Sequence, residues 1–145
     1  MTVIDVPQHI RLLPTRGPIE IVEFGARGRG VVALRKIEAG RLIERYPVLI
    51  IPPVQRAAVD DTIIFTYVFM WEHDTIEEDL YKHEGRSAIA LGCTSLLSHS
   101  YAPNCRFVRH IDELFIDVYA ERTIQAGEEL TINYQMTLWF EPVQL

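Results

Sequence analysis

Gly25, Gly28 and Gly30 fall in the run EFGARGRGVVALR (residues 23–35), directly behind the strand-like stretch Ile19–Phe24. Glycines behind a strand can seat a nucleotide phosphate, because their backbone approaches a ligand closely and a following helix presents its N-terminal amides. Here the spacing is GxxGxG, the reverse of the dinucleotide fingerprint. The residues that follow, VVAL, are β-branched and strand-like, and Gly40 closes the segment soon after, so no helix opens to hold a pyrophosphate. Nor does any GxxxxGKS or GxxxxGKT run occur. Two readings of the loop stay open: a tight hairpin between strands, or close backbone approach to a ligand that carries no phosphate.

Further along, LGCTSLLSHSYAPNC (91–105) and GEELTINY (127–134) concentrate polar groups in a small apolar domain, including His99, Asn104, Asn133 and Tyr134. Taken alone, His99 or Tyr134 is more often structural, a buried ring that pairs its polar atom. Cys93 and Cys105 make no CxxC pair and no disulfide framework, so free, partly buried thiols and no structural zinc are expected.

These groups need elements to position them. Alternation of apolar and polar residues with β-branched enrichment recurs at 19–24, 31–34, 42–51, 105–110 and 114–119. Arg106–His110 and Leu114–Tyr119, separated by Ile111, Asp112 and Glu113, read as a hairpin. Ala39–Gly40 and Ala126–Gly127 each close a short turn before another strand. Residues 55–71 read as partly helical after Pro53. The alternative is a strand over 63–69, which would put Ile63, Phe65, Tyr67 and Phe69 on one face. The expectation is a mainly β chain with one or two short helices.

The 145 residues suit one domain, 1–145, with a real core. A net charge of −6 argues against a nucleic-acid surface and suits a cationic partner. Glu72, Asp74, Glu77, Glu78, Asp79 and Glu84 crowd one segment, read first as a solvated loop and second as a steering patch for a basic substrate. The N-terminus MTVIDVPQHIRLLP has no signal-peptide pattern, and the apolar runs are too short to cross a bilayer. A soluble, cytoplasmic protein without membrane contact is expected.

In order along the chain, GRGVVAL, TYVF, LLSHSYAPNC and ERTIQAGEELTINY together resemble the SET-domain family of S-adenosylmethionine-dependent protein lysine methyltransferases. Any one of these motifs is weak; the ordered set covers roughly 15–135. The resemblance implies a β-clip of several small curved sheets with a knot-like C-terminal crossing. It implies S-adenosyl-L-methionine as cofactor, no metal, and a lysine-containing basic protein or peptide as partner. Gly28, Arg29 and Gly30 would approach the methionine end of the cofactor through their backbone. Ser98 and His99 would hold its amino-acid end and adenine, with Tyr67 touching it and Trp139 a candidate to cover it. Phe69 and Ile132 would line the lysine channel, and Tyr134 would be the catalytic residue.

Asn104 and Asn133 are expected to brace. For Phe65 and Trp71 the plain reading, core packing, is kept. Ser98 departs from the family, which has asparagine there; one lost hydrogen bond to a charged partner would cost ~1–3 kcal/mol of cofactor binding. Ile132 lacks a hydroxyl to hold a water or amine, which favours di- or trimethylation. The absence of a cysteine-rich segment after Tyr134 resembles minimal bacterial or viral members; the second location, beside the cytoplasm, is the nucleus for a eukaryotic source or the host nucleus for a viral one. The alternatives are a catalytically weak module that binds basic peptides, and methylation of a non-lysine acceptor.

Overall fold

The structure, a computed structural model, describes residues 17–71 and 85–133. Ile19–Glu23 (β1) and Arg29–Ala33 (β2) form an antiparallel hairpin in which Val22 faces Gly30 and Glu23 faces Arg29. A short 3-10 turn, Gly25–Arg27, joins them. It is closed by the Gly28 N–H donating to the Gly25 carbonyl at 2.9 Å and the Phe24 N–H to the Gly28 carbonyl at 2.8 Å. The glycine run is therefore a hairpin turn, and no helix follows it. Val31 and Val32 are both buried, so β-branched side chains fill both faces of β2.

A five-stranded sheet is built around the long strand Leu42–Ile51 (β3). Its other strands are Val68–Met70 (β4), Ser87–Ala90 (β5), Cys105–His110 (β7) and Phe115–Ala120 (β8), in the order β4-β5-β3-β8-β7. The first half of β3 pairs with β8 and the second half with β5. Pro47 stands at the changeover, where its missing N–H costs no ladder bond. β7 and β8 are the hairpin expected from sequence; Leu114 belongs to its turn, at φ +63°.

The remaining sheet is two residues wide on each side: Ser98–His99 (β6) runs parallel to Thr131–Ile132 (β9). Two IxAG turns stand back to back. Ile37 and Ile124 exchange N–H to carbonyl bonds of 2.8 Å, and Gly40 and Gly127 follow at φ +84° and +86°.

Pro53–Asp60 (α1) is the helix expected after Pro53, with proline in the first turn where its missing N–H is harmless. Arg56, buried, donates to Asp60 and to the Ser87 hydroxyl, each at 2.7 Å, which ties the helix to β5. The strand reading for 63–69 does not hold. Thr62 accepts from the Ile64 N–H through its side chain and starts a 3-10 turn, Ile63–Tyr67, before β4. Ile63 is 80% exposed and Phe65 only half-buried, so the one-faced stripe does not form and Phe65 is not core. Trp71 is core, fully buried with Ile37, Ile116, Ile124, Leu130 and Ile132. The acidic segment from Glu72 to Glu84 lies outside the described residues. Among the described residues no helix is long and apolar enough to cross a membrane.

Candidate functional site

Three stretches far apart in sequence meet along residues 127–132. The first part of this stretch pairs with β2: the Gly127 N–H donates to Ala33 at 2.7 Å, Ala33 N–H to Glu128 at 2.9 Å, and Leu130 N–H to Val31 at 2.8 Å. Its last part, β9, lies beside β6, and the Ser100 N–H donates to the Ile132 carbonyl at 2.9 Å. The glycine hairpin and the SHSYAPNC segment thus share one strand.

Asn104 fastens the junction. It is buried, its amide donates to the Glu129 carbonyl at 2.9 Å, and its Oδ1 accepts from the Thr131 N–H at 2.8 Å. Its own N–H donates to the Thr131 hydroxyl at 3.1 Å. A side chain that matches a strand's donor and acceptor pattern replaces a missing neighbour strand. This is the bracing role expected for Asn104.

Each residue singled out from sequence has a definite place. Gly28 sits at φ +82°, ψ −152°, a region open essentially only to glycine, although a Cβ there would meet nothing within 4 Å. Arg29 is exposed, its Nε 3.6 Å from Glu23. Gly30 is crowded by protein: a Cβ would lie 2.7 Å from the Phe24 ring and 2.7 Å from Glu129 Oε1. Ser98 donates its hydroxyl to Glu129 Oε1 at 2.8 Å.

His99 is buried edge-on to the Tyr101 ring at 4.5 Å, and burial pushes its pKa down. Tyr67 is half-buried, and its carbonyl accepts from the Ser95 hydroxyl at 3.3 Å, which links the aromatic segment to the stretch before β6. Phe69 is buried edge-to-face with Phe107 at 5.9 Å, and Ile132 is fully buried. Tyr134 and Trp139 lie outside the described residues.

Two residues that the motifs did not single out organise the site. Glu129 accepts the Ser98 hydroxyl and sets the same carboxylate oxygen where a side chain at position 30 would otherwise go. Its place in GEEL was visible, but a cross-strand side-chain partner leaves no local pattern. Glu44, on β3, accepts from the Cys93 N–H at 2.9 Å and the Thr94 hydroxyl at 3.2 Å, which holds the turn that leads to Ser98. Gly92 makes room for it; a Cβ there would fall 2.8 Å from the carboxylate.

Cys93 and Cys105 are free and buried, and burial pushes both thiols up to about 12. Among the described residues no group of His, Cys, Asp and Glu is placed to hold a metal ion. The donor set is a glycine turn continuing into a strand, a hydroxyl and a carboxylate. It fits a ligand approached by backbone whose polar end carries charge.

Comparison with known proteins gives one family. Residues 28–135 match the family model described as SET domain. The chain is 32% identical over 133 residues to the histone-lysine N-methyltransferase, H3 lysine-37 specific, of Schizosaccharomyces pombe, covering 91% of this chain and 83% of that one. It is 31% identical over 121 residues to the histone-lysine N-methyltransferase SUV39H1-A of Danio rerio, covering 77% of this chain and 28% of the relative. Among solved structures, the Neurospora SET domain protein DIM-5, a histone lysine methyltransferase, superposes with a TM-score of 0.61 at 21% identity, over 90% of this chain and 56% of that one. That last likeness concerns the fold alone. These relatives are eukaryotic and lend no support to a bacterial or viral type.

Proposed function

The chain belongs to the SET-domain family of protein lysine methyltransferases, and on that premise we propose that its methyl donor is S-adenosylmethionine and its substrate a lysine on a basic protein tail, a histone tail first. The observation that carries this reading is the meeting of Gly30, Ser98 and Glu129 at one strand, inside the span of the family match. The S. pombe relative is named for a histone H3 lysine, which supports the histone class of substrate. A net charge of −6 suits a cationic tail.

Gly28, Arg29 and Gly30 would hold the donor's amino-acid end through their backbone, with Ser98, His99 and Tyr67 beside it and Trp139 over its base. When bound, the donor supplies a methyl group on a positively charged sulfur. The chain's part is alignment and desolvation. An ammonium has no lone pair, so the lysine must lose its proton before it attacks. Phe69 and Ile132, if they wall the lysine channel as the family resemblance implies, would disfavour its charged form and lower its pKa. The Tyr134 hydroxyl would orient the amine and answer the change of charge, and holding the reactants in line supplies most of the acceleration. Ile132 brings no hydroxyl to fix a water, which favours addition of a second or third methyl.

Calorimetric titration with S-adenosylmethionine, followed by incubation with labelled donor and a panel of histones and ribosomal proteins, tests the reading. Binding together with label on lysine is expected. Donor binding with no label on any protein would turn the reading to a peptide-binding module. Label on a residue other than lysine would change the acceptor.

A further inference from the structure

We infer that Ser95 is a positioning residue of the donor site: its hydroxyl opens the β4–β5 ladder at Tyr67 and ties Tyr67 to the turn that delivers Ser98 and His99. This rests on the function proposed above. The register of the hairpin locates the opening. Val68 faces Ile89, Phe69 faces Ala88 and Met70 faces Ser87, and beyond them the Trp71 N–H donates to the Arg86 carbonyl at 3.1 Å. In an antiparallel ladder the hydrogen-bonded pairs recur at every second rung. Trp71 with Arg86 is such a pair, so Tyr67 with Ala90 falls in the same phase.

That rung is not closed directly. The Ala90 N–H donates to the Ser95 hydroxyl at 3.2 Å, and the hydroxyl donates to the Tyr67 carbonyl at 3.3 Å. One oxygen, acceptor and donor at once, stands inside the rung and satisfies both groups. Tyr67 is accordingly the last residue of the 3-10 turn Ile63–Tyr67 rather than the first of β4.

Ser95 can hold this place because its own turn is anchored from the other side. Thr94–Leu96 is a 3-10 turn, and the Cys93 N–H and Thr94 hydroxyl donate to Glu44 on β3 at 2.9 and 3.2 Å. The Leu97 N–H closes the turn on the Thr94 carbonyl at 3.2 Å, and β6 begins at Ser98. The hydroxyl thus sets how far the Tyr67 backbone stands from the strand that carries Ser98 and His99. With alanine at 95, the Ala90 N–H and Tyr67 carbonyl would close on each other or on water. The first draws Tyr67 toward β5, and the second unties it from the turn. Ser95 is only half-buried, so losing its hydroxyl opens no cavity in the core.

The test is calorimetric titration of S-adenosylmethionine into the full chain and into Ser95→Ala, Tyr67→Leu and the double variant, with a thermal melt of each. Ser95→Ala should melt close to the parent yet bind donor about three- to tenfold more weakly, the worth of one neutral hydrogen bond. In the Tyr67→Leu background the same change should cost distinctly less, because a residue that acts through Tyr67 has nothing left to place. A merely structural residue would lower the melt and leave the donor affinity of the folded chain alone. Parental affinity in folded Ser95→Ala, or an equal loss in both backgrounds, overturns the inference and leaves the proposed function intact. A parent chain that binds no donor overturns the function and the inference together. If a variant does not fold, or binds too weakly to titrate, amide hydrogen exchange on the parent decides. The Ala90 amide should exchange more slowly with donor bound than without it; an unchanged rate contradicts the assignment.

Discussion

Asp117 shows how much one residue can hold. Its side chain is fully buried, yet it accepts from Arg45 Nε at 2.6 Å, Arg45 Nη2 at 2.8 Å and the Tyr119 hydroxyl at 3.1 Å, with His110 Nε2 at 3.0 Å. The Arg45 guanidinium foremost, then His110 and Tyr119, hold its carboxyl at about 2, against burial, which pushes the other way. A folded pKa below the unfolded one makes this contribution present above about pH 4 and lost as pH falls from there through 2. Its size is about 2 kcal/mol at most. Asp117→Asn should therefore unfold at lower urea at pH 7, and its stability should change less than the parent's between pH 4 and 2. Urea midpoints across that range decide it, and identical pH profiles would contradict the pairing.

The glycines separate in the same way. A backbone role for Gly30 alone would let Gly30→Val lose donor binding in a stable domain, but Phe24 and Glu129 already fill that space. The valine should also lower stability, by about 1–3 kcal/mol of overpacking. Gly28→Ala should cost a similar ~1–3 kcal/mol through backbone strain alone. Thermal melts of the two variants check both values; a parental melting point in either removes its stated cause.

At the scale of elements, the junction of β6 and β9 hangs on Asn104. Asn104→Ala strands a buried Thr131 N–H and a Glu129 carbonyl, at about 1–3 kcal/mol for each group. A drop of about 2–4 kcal/mol is expected from urea unfolding, with weakened donor binding in the same variant; a change below about 1 kcal/mol would mean that the strand is held by its β2 side. This junction was also the least legible part of the fold. The strands at 19–24, 42–51 and 105–110 could be read because alternation persisted long enough to show, and the IxAG turns because glycine marks left-handed backbone. β6 and β9 have two residues each, too few for any period. The stripe from Ile63 to Phe69 misled because Thr62 captures the Ile64 amide, a local bond that apolar spacing cannot reveal. At the site, Gly28, Ser98 and Asn104 could be read from motifs, whereas Glu129 and Glu44 act through partners 31 and 49 residues away.

For the whole molecule, the small sheets serve to bring residues 28–30, 98–104 and 127–132 side by side, just before Tyr134. On the function proposed, this meeting point would hold a methyl donor whose group Tyr134 would help pass to lysine. Tyr134→Phe keeps the ring and removes one hydroxyl, so donor affinity by calorimetry should stay within about threefold of the parent, less than one neutral hydrogen bond is worth. Turnover on the best histone substrate, followed by mass spectrometry of the methylated lysine, should fall about a hundredfold or more, the pattern of an interaction made chiefly in the transition state. A Tyr134→Phe chain that binds the donor and methylates lysine as fast as the parent would contradict the account.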